Sequence, residues 1–465
     1  MSSDTIHTPR FRMGRVFHRK GENRTAEGMF EAAGPHPTLS PEAARAYVWL
    51  GFVPGDATII EGVECLPGGE SGQVVDGKWH ADQRHSVQAM RLPSDESALL
   101  KMAGEVFDAA VDGCLAAHPG RQHIVPISGG LDSRIILGAL LERFSPKDIV
   151  TYTFGVPGTY DYELGNRVAR AAGTRHVKFD LSKKTRWRRE DLEEVARLTD
   201  ANNSLFHPRV WLDAIREFGN DGVFWTGYTG DGLGGSAMKR YGESEDPMGL
   251  FIENELVPAP GVPTDVEQMR SLCADSSCLD DVVSKAESIW FRNHVERYTT
   301  HHIYLRGCHY ASPFMEGDVP SFLLSLPAHH REDKVLFNRW AAARYPRLFQ
   351  LPTAGYGFEL TDRGRPAQWA WRAFGTAHKA LSRVLPPVVH PRIGYWHFDK
   401  DVRSGELRRL VIDLLEDAHR SGLWDRAEWE PLWKAQLAGE RWANILLNGA
   451  SLGVLAGMLD GQRHS

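Results

Sequence analysis

Residues 128–133 read Ser128-Gly129-Gly130-Leu131-Asp132-Ser133. Two adjacent glycines let the backbone turn sharply and aim its N–H groups inward, which makes a cradle for phosphate. A helix that opens at the same point adds free N–H donors and partial positive charge for an anion. Asp132 is then a carboxylate among phosphates, which suits it to hold a cation such as Mg²⁺ against them. A second glycine-rich run, Thr226-Gly227-Tyr228-Thr229-Gly230-Asp231-Gly232-Leu233-Gly234-Gly235, carries another carboxylate. If the two loops meet, Asp132 and Asp231 form a two-carboxylate cation site completed by phosphate oxygens. Taken alone, the second run is equally a glycine-rich turn with one solvated aspartate.

The elements that must position these loops are legible around them. His123-Ile124-Val125-Pro126-Ile127 is a short apolar strand, and the apolar helix 134–142 follows the first loop. Strands are expected at 149–154, 176–179 and 223–226, with helices over 163–172 and near 189–199. Ser94 and Asp95 can cap a further helix reaching His118. This alternation predicts an α/β fold with a doubly wound parallel sheet. In such sheets ligands bind at the carboxyl ends of the strands, where both loops lie. Residues 1–92 read as a small β-rich domain, with a strand-like stretch Thr58–Leu66 and a hairpin turn at Asp76-Gly77. Residues 93–465 form the main domain, mostly helical from about 280, with a break at Leu385-Pro386-Pro387. Gly72-x-x-x-x-Gly77-Lys78 imitates a phosphate loop, but Trp79 stands where a Ser or Thr is needed and no helix follows.

Composition narrows the function. The chain has 465 residues, 42% hydrophobic and 25% charged, with net charge -6. That fits a soluble enzyme and gives no reason to expect a nucleic-acid partner. No stretch approaches the apolar length of a membrane span. Arg10, Arg12, Arg15, Arg19 and Lys20 lack an apolar core beside them, so they read as a basic arm rather than a secretory signal. Cys65, Cys114, Cys273, Cys278 and Cys308 form no Cys-x-x-Cys pair, and a reducing cytoplasm is the simplest location. The pairs His301-His302 and His329-His330 lack metal-ligand spacing and read as surface or packing histidines.

Ser128–Ser133 resembles the pyrophosphate loop of N-type ATP pyrophosphatases, the adenine nucleotide alpha hydrolase-like group. Over roughly residues 40–450 the chain resembles the synthetase domain of class B asparagine synthetases. Relatives there include β-lactam synthetases and lasso-peptide cyclases. Leu66-Pro67-Gly68-Gly69, Thr153-Phe154-Gly155, Thr226-Gly227 with Asp231, Pro313-Phe314 with Glu316, and Asp333-Lys334-x-Leu336 carry the likeness. The resemblance implies ATP held by Ser128, Gly129, Gly130, Asp132, Ser133, Phe154, Gly155, Thr226 and Gly227. It also implies Mg²⁺ on Asp132 and Asp231. In such enzymes ATP adenylates a small-molecule or peptide carboxylate, and an amine or ammonia displaces AMP. Pathway proteins or a second copy of the chain are the expected protein partners.

Departures from the family carry information. Met1 is followed by Ser2, and the first cysteine is Cys65, so the family's N-terminal cysteine nucleophile is missing and the β-rich segment reads as a glutaminase remnant. Tyr228 stands where asparagine synthetases carry Glu and β-lactam synthetases carry Tyr. A phenol titrates near 10 and needs help to take a proton. Glu296 is the expected helper, with a one-residue slip onto Arg297 left open. Tyr228 as a packing aromatic or adenine neighbour is the plain alternative. The family's catalytic Lys is replaced by Thr353 near Leu351–Gly355, with Lys334, Arg134 or Arg297 as candidate substitutes. The acidic residue usual after Asp231 is Gly232. The expectation is an ATP-dependent, AMP- and pyrophosphate-forming amide ligase of a natural-product type, such as macrolactam or lasso-peptide-like chemistry, with catalytic candidates Tyr228, Glu296 and Lys334. Ammonia-dependent asparagine synthesis, β-lactam closure and a non-catalytic nucleotide-binding relative are the alternatives.

Overall fold

The computed structural model describes residues 5–11, 13–184, 187–219, 221–256, 265–353, 373 and 395–463. Eleven strands occur among them: β1 (Ile6–His7), β2 (Phe17–Arg19), β3 (Thr25–Ala26), β4 (Val63–Cys65), β5 (Glu70–Val75), β6 (Lys78–Arg84), β7 (Gln122–Pro126), β8 (Ile149–Gly155), β9 (Arg175–Asp180), β10 (Gly222–Trp225) and β11 (His309–Ala311). The central sheet runs β11-β10-β7-β8-β9, and every neighbouring pair in it is parallel. Read in chain order, the sheet winds outward from β7 through β8 to β9, then returns to the other side of β7 with β10. The winding therefore reverses between β7 and β10, and a crevice opens there at the carboxyl ends. Ser128–Ser133 follows β7 and Thr226–Gly235 follows β10, so the two loops share that crevice. The chain is thus α/β with a doubly wound parallel sheet.

Local chemistry explains the elements. β10 is buried along its whole length, as a strand covered on both faces must be. Helix Glu96–Ala117 is capped by Asp95, whose carboxylate accepts from Ala98 N at 2.8 Å, and it buries Leu99, Phe107, Val111 and Cys114. Helix Asp132–Leu141 begins without a side-chain cap, and its first residues, Asp132 and Ser133, border the crevice.

The N-terminal segment forms two three-stranded antiparallel sheets, β1-β5-β6 and β3-β2-β4. Asp76 (φ 50°) and Gly77 (φ 68°) make the β5–β6 hairpin turn, with Lys78 and Trp79 inside β6, so the phosphate-loop imitation is a hairpin. The expected strand Thr58–Leu66 shrinks to β4. Thr58 Oγ1 donates to the carbonyls of Ile60 and Val63, and Gly62 turns at φ 72°, so local bonds replace a ladder. The basic arm is also not free. Arg15 is buried, with its guanidinium on Asp200 at 2.8 Å and on the carbonyls of Thr300 and Tyr304. Arg12 and Leu385–Pro387 lie outside the described residues.

Phe17, Trp49, Phe52 and Val63 pack in one core with Leu192, Phe206, Leu414 and Leu446. The β-rich segment therefore buries its apolar face against the C-terminal helices. Within helix Ala443–Arg463, residues Ala443–Asp460 are long and apolar enough to cross a membrane, contrary to the sequence reading. That stretch is 83% buried inside the protein, which makes it a core helix. None of the five cysteines is in a disulfide.

Candidate active site

The crevice holds a cavity of about 370 Å³. One wall is the first loop. Gly130 N–H donates to Ser128 Oγ at 3.1 Å, and Gly129 N–H donates to Asp161 Oδ1 at 3.1 Å. Asp161, in the first turn of the helix after β8, lines the cavity and takes the Gly129 N–H, whereas Gly129 itself is not on the wall. Burial pushes the Asp161 carboxyl above the usual range. The second loop presses on the first: a Cβ on Gly227 would lie 2.6 Å from Asp132 Cβ, so only glycine allows the approach. Tyr228 N–H donates to Thr226 Oγ1 at 3.1 Å, which fixes the turn. Thr229 then takes φ 78°, an uncommon left-handed conformation for a branched residue.

The loops are joined by Lys334. Its ammonium pairs with Asp132 and, at 2.6 Å, with Asp231. Asp132 is mostly covered, whereas the Asp231 side chain is 60% exposed and open to the cavity. Several features aim Lys334 there. Asp333 (φ 54°) and Lys334 (φ 55°) are both left-handed, a strained pair that costs roughly 1–2 kcal/mol per residue. Lys334 N–H donates to Gly234 O at 3.0 Å. A Cβ on Gly234 would lie only 1.7 Å from Lys334 Cγ, so the missing side chain at 234 is the passage for the lysine stem. The Phe314 ring lies 5.9 Å from the ammonium. Burial pushes the Asp132 carboxyl up, while the lysine charge pulls the Asp231 carboxyl down. Burial opposes the charge on Lys334, but the two carboxylates together hold it above its ordinary value. Among the described residues, no group of three or more His, Cys, Asp or Glu is placed to hold a metal. The Asp132–Asp231 pair nevertheless fits a cation, since the two oxygens already converge on one.

The other sequence candidates separate. Ser128, Gly130, Ser133, Phe154, Thr226, Gly227 and Tyr228 all line the cavity with Asp132, Asp231 and Lys334. Gly155 ends β8 at φ 150° and lies near the backbone of Tyr395, not on the wall. Glu296 does not reach Tyr228. Its carboxylate takes Arg292 at 2.8 Å and is buried, while Tyr228 Oη donates to Thr299 Oγ1 at 2.9 Å. Within the π-helical Phe291–Thr299, Val295 and Thr299 line the cavity while Glu296 is buried beside Arg292. Arg134 and Arg297 are equally turned away. Arg134 donates to the carbonyls of Gly129, Leu348, Leu351 and Pro352, and Arg297 to those of Val53 and Ala57. Of the three proposed lysine substitutes, Lys334 alone lines the cavity. Thr353 is buried, and Ala354 and Gly355 lie outside the described residues.

Sequence reasoning missed Asp161, Trp290, His294 and Asn338, all on the cavity wall. Three buried side-chain oxygens there, Ser133 Oγ, Thr229 Oγ1 and Asn338 Oδ1, have no hydrogen-bond partner among the described residues. Buried polar atoms without partners are costly, so such a group points to a ligand that supplies them. Only Asp161 carried a sequence signal, as an acidic residue in the first turn of a helix after a parallel strand.

Residues 103–253 match a protein family model described as asparagine synthase. The match covers about a third of the chain and includes both loops, Phe154 and Asp161. No curated protein matches the chain. The matched stretch is similar to the synthetase part of the asparagine synthase family, which supports ATP binding and ATP-dependent amide ligation in general.

Proposed function

We propose that the chain is an ATP-dependent amide ligase that forms AMP and pyrophosphate. The observation that carries this reading is the meeting of Ser128–Ser133, Asp132, Asp231 and Lys334 in one cavity at the sheet's reversal point. A substrate carboxylate oxygen attacks the α-phosphorus of ATP, and the bond to the bridging oxygen of pyrophosphate breaks. Backbone N–H groups at the start of helix Asp132–Leu141 and the Lys334 ammonium face the charge that gathers on pyrophosphate. Asp132 and Asp231 would hold Mg²⁺ once the Lys334 ammonium moves from between them toward the phosphates, and the ion when bound would neutralise phosphate charge. An amine or ammonia, attacking as the free base, then displaces AMP from the acyl carbon and sheds its proton to solvent.

Tyr228 takes a different part from the one its family position suggests. Burial pushes its phenol far up, and its hydroxyl is already committed to Thr299. It remains a neutral donor that shapes the wall rather than a base. A natural-product setting, with a peptide or small-molecule carboxylate, is the finer part of the proposal. The test is ATP–pyrophosphate exchange with a panel of carboxylic acids. Asp132→Ala should abolish exchange. Unchanged exchange in that variant would sink the mechanism, and ATP binding without exchange for any acid would return the non-catalytic alternative.

A further inference from the structure

One cavity wall is a continuous helix of three parts, Lys285–Trp290, the π-helical Phe291–Thr299 and Thr300–Ile303. Along it Trp290, His294, Thr299 and Ile303 face the cavity. Ile303 shares an apolar recess with Trp211, whose ring packs on Phe154 at 4.7 Å between centroids. Trp290 lies about 15–20 Å away along the helix axis. There its indole closes on the backbone just after Asp231, where a Cβ on Gly232 would sit 3.3 Å from the ring. The cavity thus has a Phe154–Trp211 end and a Trp290–His294 end.

The second end is built and rigid. Tyr241, Trp290 and His294 stack in a column, with centroids 5.7 and 5.8 Å apart and planes within 21° and 17°. Glu255 accepts from Tyr241 Oη and bonds His294 Nδ1 at 2.8 Å, which fixes both outer rings. No side chain at 232 stands between this column and the second loop. The charges nearby discriminate. The cavity carries the carboxyls of Asp132, Asp161 and Asp231, and its one Lys or Arg among the described residues is Lys334, already held by two of them. A second carboxylate on a substrate would find no cation left to it, because Lys334 and the ion that Asp132 and Asp231 would hold are both committed to the phosphates, and leaving it unpaired costs free energy in low dielectric.

Resting on the ligase reading, we propose that the activated acid carries an uncharged aromatic or other flat apolar group, seated against the rims of Trp290 and His294. Edge-to-face contact with a ring column suits an aromatic acyl group, and an acidic amino acid such as aspartate does not fit. Trp290 is then a specificity-determining residue.

Calorimetry with stable sulfamoyl-adenosine analogues of benzoate, aspartate and lysine tests this, with AMP as the common control. The benzoyl analogue should bind at least about 30-fold more tightly than the other two. Trp290→Ala should weaken the benzoyl analogue at least about tenfold and AMP less than about threefold, with Trp290→Phe between. Equal or tighter binding of the aspartyl or lysyl analogue, with AMP bound, overturns the inference and leaves the ligase reading standing. Equal losses for AMP and the benzoyl analogue in both variants also overturn it, by showing a structural role alone. Failure of AMP and all three analogues to bind the unaltered protein overturns the ligase reading itself.

Discussion

Gly234→Ala isolates the role of Lys334 without touching a charge. Gly234 has φ -80° and ψ 12°, a backbone that alanine adopts freely, so the substitution tests space alone. The new Cβ would lie 1.7 Å from Lys334 Cγ and 2.3 Å from Cδ, where ordinary carbon contacts need about 3.5–4.0 Å. The stem must therefore move by roughly 1.5–2 Å, and the ammonium loses its place between Asp132 and Asp231. Overpacking of this kind costs about 1–3 kcal/mol in stability. Losing a positioned cation at developing phosphate charge costs about 10²–10³ in rate. Lys334→Ala removes the clashing atoms. In that background the nearest of the contacts left is the backbone oxygen Gly230 O at 2.8 Å, which must still give slightly, and the cost should fall toward the low end of the overpacking range, about 1 kcal/mol. The assay is ATP–pyrophosphate exchange, with urea unfolding on the same four proteins. The expected result is strong non-additivity: each single variant loses exchange, and the double variant loses no more than Lys334→Ala. Exchange in Gly234→Ala within about threefold of the unaltered protein would refute the argument, as would fully additive losses.

Two further predictions concern protons. Burial lowers His207 to about 4 and His302 to about 3, and their rings lie 6.3 Å apart. Both stay neutral in the fold while the unfolded chain protonates near 6.5, so the unfolded state binds more protons below that pH. Stability should therefore fall as pH drops from 6.5 toward the folded values, by about 2 kcal/mol per histidine at pH 5. Urea unfolding at pH 7.5 and 5.0 reads this, and a His207→Gln/His302→Gln variant that keeps the full acid loss would contradict it. Tyr228→Phe deletes a hydroxyl whose phenol burial holds far above its ordinary value. The pH profile of amide formation should keep its alkaline limb, with a loss of less than about tenfold. A limb displaced or removed by this variant would restore Tyr228 as the base.

Much of the two-loop arrangement was legible because its backbone chemistry is local. Ser-Gly-Gly after an apolar strand, and a glycine-rich run with Asp231 after another, need only a few neighbouring residues to take shape. The element order followed for the same reason: β7, β8, β9 and β10 fall within a few residues of the apolar runs that predict them. Glu296 misled because it was placed by likeness to the family alone: in the fold its carboxylate lies beside Arg292, and Thr299 meets Tyr228 instead. The strand expected at Thr58–Leu66 failed where Thr58 and Gly62 close a local loop that no alternation pattern reveals.

Arg134 and Lys334 show where sequence stops. Both were candidate cations, and nothing in their neighbours separates them. Arg134 follows the phosphate loop directly, yet its helix turns it into the interior, where carbonyls from 348–352 take its donors. Lys334 comes 202 residues after Asp132, and the strained turn at Asp333 with the gap at Gly234 carries its ammonium between the two aspartates. The sequence by itself determined that two glycine-rich, carboxylate-bearing loops end parallel strands, because backbone turning and strand burial are short-range. Only the tertiary structure decided which cation joins them and which rings close the far end. Those contacts depend on helix rotation and on the absence of a side chain at single positions, which the packing of distant segments sets.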